Sequence, residues 1–208
     1  ELKKIRNDIG ISKKLKAKHA LLYSMALDKN YVDVTNDSII APAIEYYSNR
    51  GSNDEKLLAH YYMGRIYQNS SDVNNAALEF SKAEQLIEDS HGNPVIGRLY
   101  MAFADLYNSA GNSIKEIEYV QKGCNQYKNF GPITEYNKAL GRLAIAYANN
   151  RDWEIADSLY NESILHCYKD TVVMSLFLSN YARLKVLRPN KNPSYALELL
   201  NRKYKDYK

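Results

Sequence analysis

The sequence predicts an all-α protein, a superhelix of about five helical hairpins that forms one domain over residues 1–208. Apolar residues recur three and four positions apart through most of the chain, which is the period of an amphipathic helix. Residues that start and stop helices separate these apolar runs. Tyr67, Tyr107 and Tyr147 follow one another at one constant interval, the repeat step, and similar residues surround each of them. Periodicity, helix boundaries and repetition therefore all indicate stacked pairs of helices.

Ten helices follow from the apolar runs and the residues between them. Short connections between helices of about four turns indicate antiparallel pairs. The predicted helices span residues 13–29, 37–50, 54–69, 73–89, 94–110, 113–129, 132–150, 152–167, 171–188 and 193–207.

The predicted helix ends depend on residues with particular backbone or capping properties. Glycine takes the left-handed conformation that ends many helices, and proline cannot continue a helix. Asparagine and aspartate side chains accept hydrogen bonds from the free N–H groups of a first turn. The predicted stops are Gly51, Gly92, Gly111, Gly131 and Pro189, and the predicted caps are Asn53, Asp72, Asn93, Asp152, Asp170 and Asn192.

The repeated residues resemble the tetratricopeptide repeat. One copy reads Met63-Gly64-Arg65-Ile66-Tyr67, followed by Ala76 and Phe80, and this is close to the family pattern Leu-Gly-x-x-Tyr and Ala-x-x-x-Phe. The resemblance implies that small residues such as Ala76 and Ala156 lie where two helices approach closely. Glu116 stands at the equivalent position of the next copy and departs from the pattern. The implied units lie near residues 13–50, 54–89, 94–129, 132–167 and 171–207.

Two segments also look like a group of tetratricopeptide proteins from Bacteroidetes bacteria. These are residues 28–38, which begin Asp28-Lys29-Asn30-Tyr31, and residues 59–65, which read Ala-His-Tyr-Tyr-Met-Gly-Arg. The resemblance implies a bacterial protein of the periplasm or cell envelope, with a membrane tether or regulatory segment outside the given residues. It leaves open an alternative function, a structural or sensory segment of a larger envelope protein whose end units dock on the rest of its own chain.

Composition argues against nucleic acid and against a membrane span. The chain has 28 basic and 24 acidic residues, a formal charge of +4, which dispersed surface charge explains. Nucleic acid is therefore not expected as a partner. No run of 18 apolar residues is present, so the sequence predicts no transmembrane segment in this chain.

The sequence contains no pattern that predicts catalysis, a cofactor or a metal. The four histidines, His19, His60, His91 and His166, fall in separate predicted units without a metal-binding spacing. His166 and Cys167 are neighbours, which point about 100° apart on a helix and cannot readily share a proton. No glycine-rich phosphate loop occurs. We therefore expect a protein that is not an enzyme, with no catalytic residues, no cofactor and no metal.

The predicted function is peptide or protein binding on the first helices of successive hairpins. In the resembled fold this face lines a concave groove, and here it carries donors together with flat aromatic rings that suit an extended peptide. Family members that clamp a peptide's carboxyl terminus use a fuller basic set, of which only Lys138 and Arg142 are present. The predicted partner-binding residues are Tyr61, Arg65, Gln68, Asn69, Arg98, Met101, Asp105, Asn108, Lys138, Ile145, Asn149, Tyr181 and Lys185.

Overall fold

The computed structural model describes residues 12–88, 92–166 and 171–205, and every regular element in that part of the chain is helical. A short 3-10 helix, Asp37–Ile39, accompanies ten α-helices. The α-helices are α1 Lys13–Lys29, α2 Ala41–Arg50, α3 Asn53–Asn69, α4 Val73–Glu84, α5 Val95–Ser109, α6 Ser113–Phe130, α7 Ile133–Asn149, α8 Trp153–His166, α9 Thr171–Leu187 and α10 Pro193–Lys205.

The helices pack as neighbours within two compact units, one ending at Phe103 and the other beginning at Ala104. In the first unit α1 pairs with α2 and α3 pairs with α4. In the second unit α7 pairs with α8 and α9 pairs with α10, and α6 packs on α7. The unit boundary falls inside α5. The all-helical class and the pairing of adjacent helices are confirmed, whereas the single domain stays a prediction.

Side-chain caps set several of the predicted helix starts. Asp72 accepts a hydrogen bond from the backbone N of Asn75, and Asn93 and Asn192 accept equivalent bonds at the starts of α5 and α10. The predicted cap Asn53 is wrong by one residue. Ser52 caps α3 instead, in a reciprocal pair of hydrogen bonds with Glu55 that satisfies two free N–H groups. The predicted cap Asp170 lies outside the described residues.

α2 and α6 end at Gly51 and Gly131 as predicted, but the conformation of these glycines and the lengths of two helices need correction. Gly51 and Gly131 follow their helices with extended backbone, φ −86° and −106°, so neither uses the left-handed conformation. The helix predicted over residues 37–50 divides into the 3-10 helix and α2, because Pro42 is tolerated only in a first turn. The helix predicted to reach residue 89 ends at Glu84, where the backbone hydrogen bonds change to the tighter 3-10 pattern.

The turns after α3, α5 and α7 have the same backbone geometry and follow one another at the repeat step. The N–H groups of Asp72, Asn112 and Asp152 each bond to a tyrosine carbonyl five residues earlier, at 2.9–3.0 Å. The residue before each of them has positive φ: Ser71 at 62°, Gly111 at 70° and Arg151 at 68°. This is the Schellman arrangement that closes a helix C-terminus.

The same turn also follows α1, ahead of the longer connection to α2. Tyr31 has a φ of 56°, and the N–H of Val32 bonds to the carbonyl of Leu27 at 3.0 Å. Leu27 and Val32 lie one repeat step before Tyr67 and Asp72. The repeat therefore begins with α1, and only the delayed start of α2 departs from it.

The positive φ of Arg151 predicts a stabilising substitution. A left-handed conformation costs a residue with a Cβ about 1–2 kcal/mol, and glycine avoids most of that cost. We expect Arg151→Gly to raise the free energy of unfolding by about 1 kcal/mol in chemical denaturation. Gly111→Arg, at the equivalent position one step earlier, should lower it by a similar amount. Changes of the same sign from both substitutions would contradict the equivalence of the two turns.

Small residues lie at contacts between neighbouring helices. Ala76 on α4 and Ala156 on α8 are fully buried. A Cβ on Gly64 would occupy the place of the Phe80 ring, so the glycine allows α3 and α4 to approach. Gly141 on α7 makes the same kind of space for the ring of Phe177 on α9. In the second unit, this packing joins α7, α8, α9 and α10 into one hydrophobic cluster.

Candidate functional site

The predicted binding residues divide by exposure, and three of them are buried. Tyr61 keeps 3% of its surface exposed, Tyr181 1% and Lys185 7%. Burial raises the pKa of both phenols. The prediction of Tyr61 and Tyr181 as groove residues is therefore corrected. Their rings pack between helices and leave a partner almost no surface to contact.

Two arginines of the first unit converge on one aspartate. Arg65 on α3 donates from Nε to Oδ1 of Asp28 at 3.3 Å, and Nη1 of Arg98 on α5 lies 3.5 Å from Oδ2. The side chains of Arg65 and Arg98 are 28% and 31% exposed, and that of Asp28 is 20% exposed. These three residues form the Asp28 cluster. One carboxylate shared by two guanidinium groups leaves a net positive charge that water still reaches.

The residues around the Asp28 cluster hold its arginines in place. The guanidinium of Arg98 lies 5.6 Å from the ring centroid of Tyr61, within the range of a cation–π contact. Arg65 Nη1 donates to Oε1 of Gln68 at 2.6 Å, one helical turn along α3. Asn69 donates to the carbonyl of Val34 at 3.2 Å. Gln68, Asn69 and Met101 are all partly buried, and the first two have partners within their own unit.

Glu116 is the centre of a polar cluster in the second unit. Its side chain is 1% exposed, although it stands where the repeat pattern has a small residue. It accepts hydrogen bonds from Asn108 at 2.7 Å and from Asn149 at 3.4 Å, and Arg142 Nε lies 3.9 Å away. The bond from Asn108 joins α5 to α6, so the helices meet despite the missing alanine. A buried carboxylate needs such partners to offset its lost hydration.

Arg142 joins the Glu116 cluster to Asp105. Its Nη2 forms an ion pair with Asp105 Oδ1, across 37 residues of sequence. The sequence placed Asp105, Asn108 and Asn149 on one binding face, and the structure brings all three to this cluster. Here two carboxylates share one arginine, so the local charge is opposite to that of the Asp28 cluster. The polar groups of Glu116 are occupied by neighbours within the unit.

Lys185 lies in a third cluster, between α8, α9 and α10. Its Nζ forms an ion pair with Asp157, which Arg188 also approaches at 3.4 Å. The same Nζ lies 4.7 Å from the ring centroid of Tyr181 and 5.1 Å from that of Tyr195. Aromatic faces and one carboxylate thus replace most of the water around the ammonium group. Lys185 supports the helix packing and presents little of its charge to a partner.

Lys138 and Ile145 lie apart from these clusters. Lys138 is exposed and pairs with Glu135 at 2.9 Å on its own helix. Ile145 and Asn149 line a small cleft of 90 Å³ together with Trp153 and Leu184. Such a volume accommodates part of a side chain and is far smaller than ordinary ligand pockets.

Sequence reasoning missed an ion-pair group between α3 and α4. His60 Nδ1 lies 2.6 Å from Glu79 Oε2, and Lys82 donates to Glu79 Oε1 at 2.6 Å. Burial of the Glu79 carboxyl opposes its ionisation, but the bonds from His60 and Lys82 outweigh burial and hold its pKa below the usual value. His60 and Glu79 are both largely buried, so this group links the two helices of a pair.

The structure offers little reactive chemistry among the described residues. Burial raises the pKa of the Cys124 thiol to about 12, so the nucleophilic thiolate is scarce at neutral pH. In residues 12–88, 92–166 and 171–205, no three histidine, cysteine or carboxylate side chains gather where they could hold a metal ion. His91, Cys167 and the side chain of His166 lie outside the described part. None of the described helices is both long and apolar enough to cross a membrane.

The fold and its clusters define the class of the protein as all-helical with paired adjacent helices and charged groups shared between them. No model of a known protein family matches the chain, and no curated protein is significantly similar to it. The resemblance to the tetratricopeptide repeat therefore depends on the repeated residues of the sequence and stays a prediction.

Proposed function

We propose that the protein is a non-catalytic scaffold, a tetratricopeptide-like superhelix that binds an acidic segment of a peptide or protein at the Asp28 cluster. The observation that supports this most is the sharing of one carboxylate by Arg65 and Arg98, each about a third exposed. A guanidinium group has five N–H donors in a planar fork, and one aspartate cannot satisfy two such groups.

The position of the cluster favours an extended ligand. Asp28, Arg65 and Arg98 lie on α1, α3 and α5, the first helices of three successive repeats. Gln68 and Tyr61 restrict the two arginines by a hydrogen bond and a ring contact, so less conformational entropy is lost when a ligand carboxylate binds. An acidic side chain of the partner would complete the bonds that Asp28 leaves unmade.

This proposal revises the binding residues inferred from the sequence. Arg65, Arg98, Gln68 and Met101 remain candidates because part of each side chain is open to solvent. Tyr61 contributes by holding Arg98. In the second unit, Asp105, Asn108 and Asn149 serve the Glu116 cluster, and Lys138, which pairs with Glu135 on the surface of α7, lies outside the proposed site.

Selection from a random peptide library tests the proposal without knowledge of the natural partner. We expect peptides enriched on the immobilised protein to contain aspartate or glutamate. Arg98→Ala should weaken their binding about 10- to 30-fold, equivalent to about 2 kcal/mol and typical of an arginine hot spot. Fluorescence anisotropy with a labelled enriched peptide measures the change.

The matched control is Lys138→Ala, which removes one positive charge from an exposed position in the other unit. It should change the dissociation constant less than about twofold, as for a screened surface charge. Enrichment of peptides without acidic residues, or equal losses from the two variants, would contradict an arginine-centred site.

A further inference from the structure

An apolar surface on α9 and α10 has no cover among the described residues. Val186 and Leu187 are 46% and 58% exposed. With Ala182, Arg183 and Leu200 they line a shallow groove of 360 Å³, to which Ser179 and Ala196 also contribute. We call these seven residues the terminal face. Apolar area of this kind on a folded protein commonly marks an interaction site.

The repeat shows what kind of structure such a face accepts. One repeat step earlier, Leu143, Ala146 and Tyr160 occupy the positions of Arg183, Val186 and Leu200, and they are 7%, 0% and 2% exposed. A helix covers them: the ring of Tyr181 on α9 stacks on Tyr160 with centroids 5.2 Å apart. A helix also covers the equivalent positions in the first unit, where the ring centroid of Phe103 on α5 lies 5.7 Å from that of Phe80. The terminal face thus has the residue spacing of a helix-binding surface.

Arg183 distinguishes the terminal face from its buried counterparts. The equivalent residues, Met63 and Leu143, are apolar and buried, whereas Arg183 is exposed. Within the described part of the chain its guanidinium group has no carboxylate partner. A helix that covered Arg183 without supplying a negative charge would bury an uncompensated cation, which is strongly unfavourable. The occupant therefore needs an acidic residue beside its apolar stripe.

Charge argues against a second copy of this chain as the occupant. Two terminal faces packed on each other would add two Arg183 guanidinium groups and no carboxylate from the groove residues. The other end of the described chain, α1, begins with Lys13, Lys14, Lys16 and Lys18 and has no acid in its first turn. Either arrangement brings like charges together, which disfavours association.

We propose that the terminal face binds an amphipathic helix of another protein, whose apolar stripe covers Val186, Leu187 and Leu200 and whose carboxylate pairs with Arg183. This is the helix-in-groove mode of recognition. The terminal face belongs to the second unit and the Asp28 cluster to the first, so the scaffold would gain a second partner of a different kind. The inference about the terminal face does not depend on the function proposed above.

Two synthetic helical peptides test this inference. Both have the same leucine stripe, spaced three and four residues apart, and the flanking positions are glutamate in one and lysine in the other. We expect the glutamate peptide to bind at least about tenfold more tightly, because complementary charge fixes partner choice. Arg183→Glu should reverse the preference, and Val186→Glu should abolish binding of both peptides.

Matched variants separate this site from its alternatives. Arg202→Glu makes the same charge change at an exposed position of α10 outside the groove and should not change the preference. All of these comparisons are made in an Arg98→Ala background, which weakens the binding of acidic peptides at the Asp28 cluster. Circular dichroism should show unchanged melting for all variants. Equal binding of the two peptides, or no binding of either, would overturn the inference. So would sedimentation showing self-association that Val186→Glu removes, because the occupant would then be a second copy.

Discussion

Asp157→Ala should lower the free energy of unfolding by about 3 kcal/mol, because it leaves the largely buried Lys185 without its carboxylate partner. Little else compensates the charge of the ammonium group, since the rings of Tyr181 and Tyr195 surround it. Chemical denaturation monitored by circular dichroism measures the change. The loss should be among the largest from any single polar substitution in the second unit.

A double substitution separates the effect of the unpaired charge from the effect of the lost side-chain volume. Asp157→Ala with Lys185→Met should recover most of the stability, because methionine occupies a similar volume without a charge. Lys138→Ala removes an exposed pair on α7 and should cost less than about 0.5 kcal/mol. If the double variant is as unstable as Asp157→Ala alone, a buried charge is not the source of the loss.

Tyr61→Ala should cost about 3–5 kcal/mol of stability, because the substitution empties a buried aromatic site. The Tyr61 ring contacts Tyr62 at a centroid distance of 4.9 Å and Phe80 at 6.1 Å, so the cavity would open between α3 and α4. Tyr61→Phe keeps the ring and should stay within about 1 kcal/mol of the parent.

Tyr31→Ala provides the matched control for an exposed tyrosine, since Tyr31 is 92% exposed. It should change stability by less than about 0.5 kcal/mol. A mild effect of Tyr61→Ala would restore the interpretation of Tyr61 as a groove residue. The denaturant midpoints of the three variants, compared at equal m-value, decide whether the Tyr61 side chain is buried or lies exposed in the groove.

Helix boundaries could be predicted closely because local residues determine them. The predicted span of α1, residues 13–29, is the span in the structure, and Asn93 and Asn192 cap α5 and α10 as expected. The caps and the apolar period act within a few residues of sequence. The early end of α4 had no such local sign, because no glycine or proline occurs between Glu84 and Gly92.

The binding face could be predicted only in part, because burial depends on residues far away in sequence. Helical spacing put Tyr61 and Tyr181 on the same face as Arg65 and Lys185, but it could not show that neighbouring helices cover the two rings. Tyr61 and Tyr181 stand at the repeat position of Gly141, where a glycine leaves space for another helix. A large ring at that position fills the space itself.

A signal for the ion-pair clusters was present in the repeat. Asp28 lies 37 residues before Arg65, and Asp105 lies 37 residues before Arg142. This separation is shorter than the repeat step by about one helical turn. A search for opposite charges at that separation would have found both pairs. Glu116 gave no such sign, because its partners Asn108 and Asn149 lie at unrelated spacings of 8 and 33 residues.

The affinity of an enriched acidic peptide for Asp28→Asn tests the proposed binding site most directly. If Asp28 competes with the ligand for Arg65 and Arg98, removing its charge should strengthen binding several-fold, while Arg98→Ala weakens it. A cluster with only a structural role predicts no gain from Asp28→Asn. Titration of the labelled peptide against both variants, each shown to be folded, measures the two effects. Opposite signs would support the site, and weaker or unchanged binding by Asp28→Asn would contradict it.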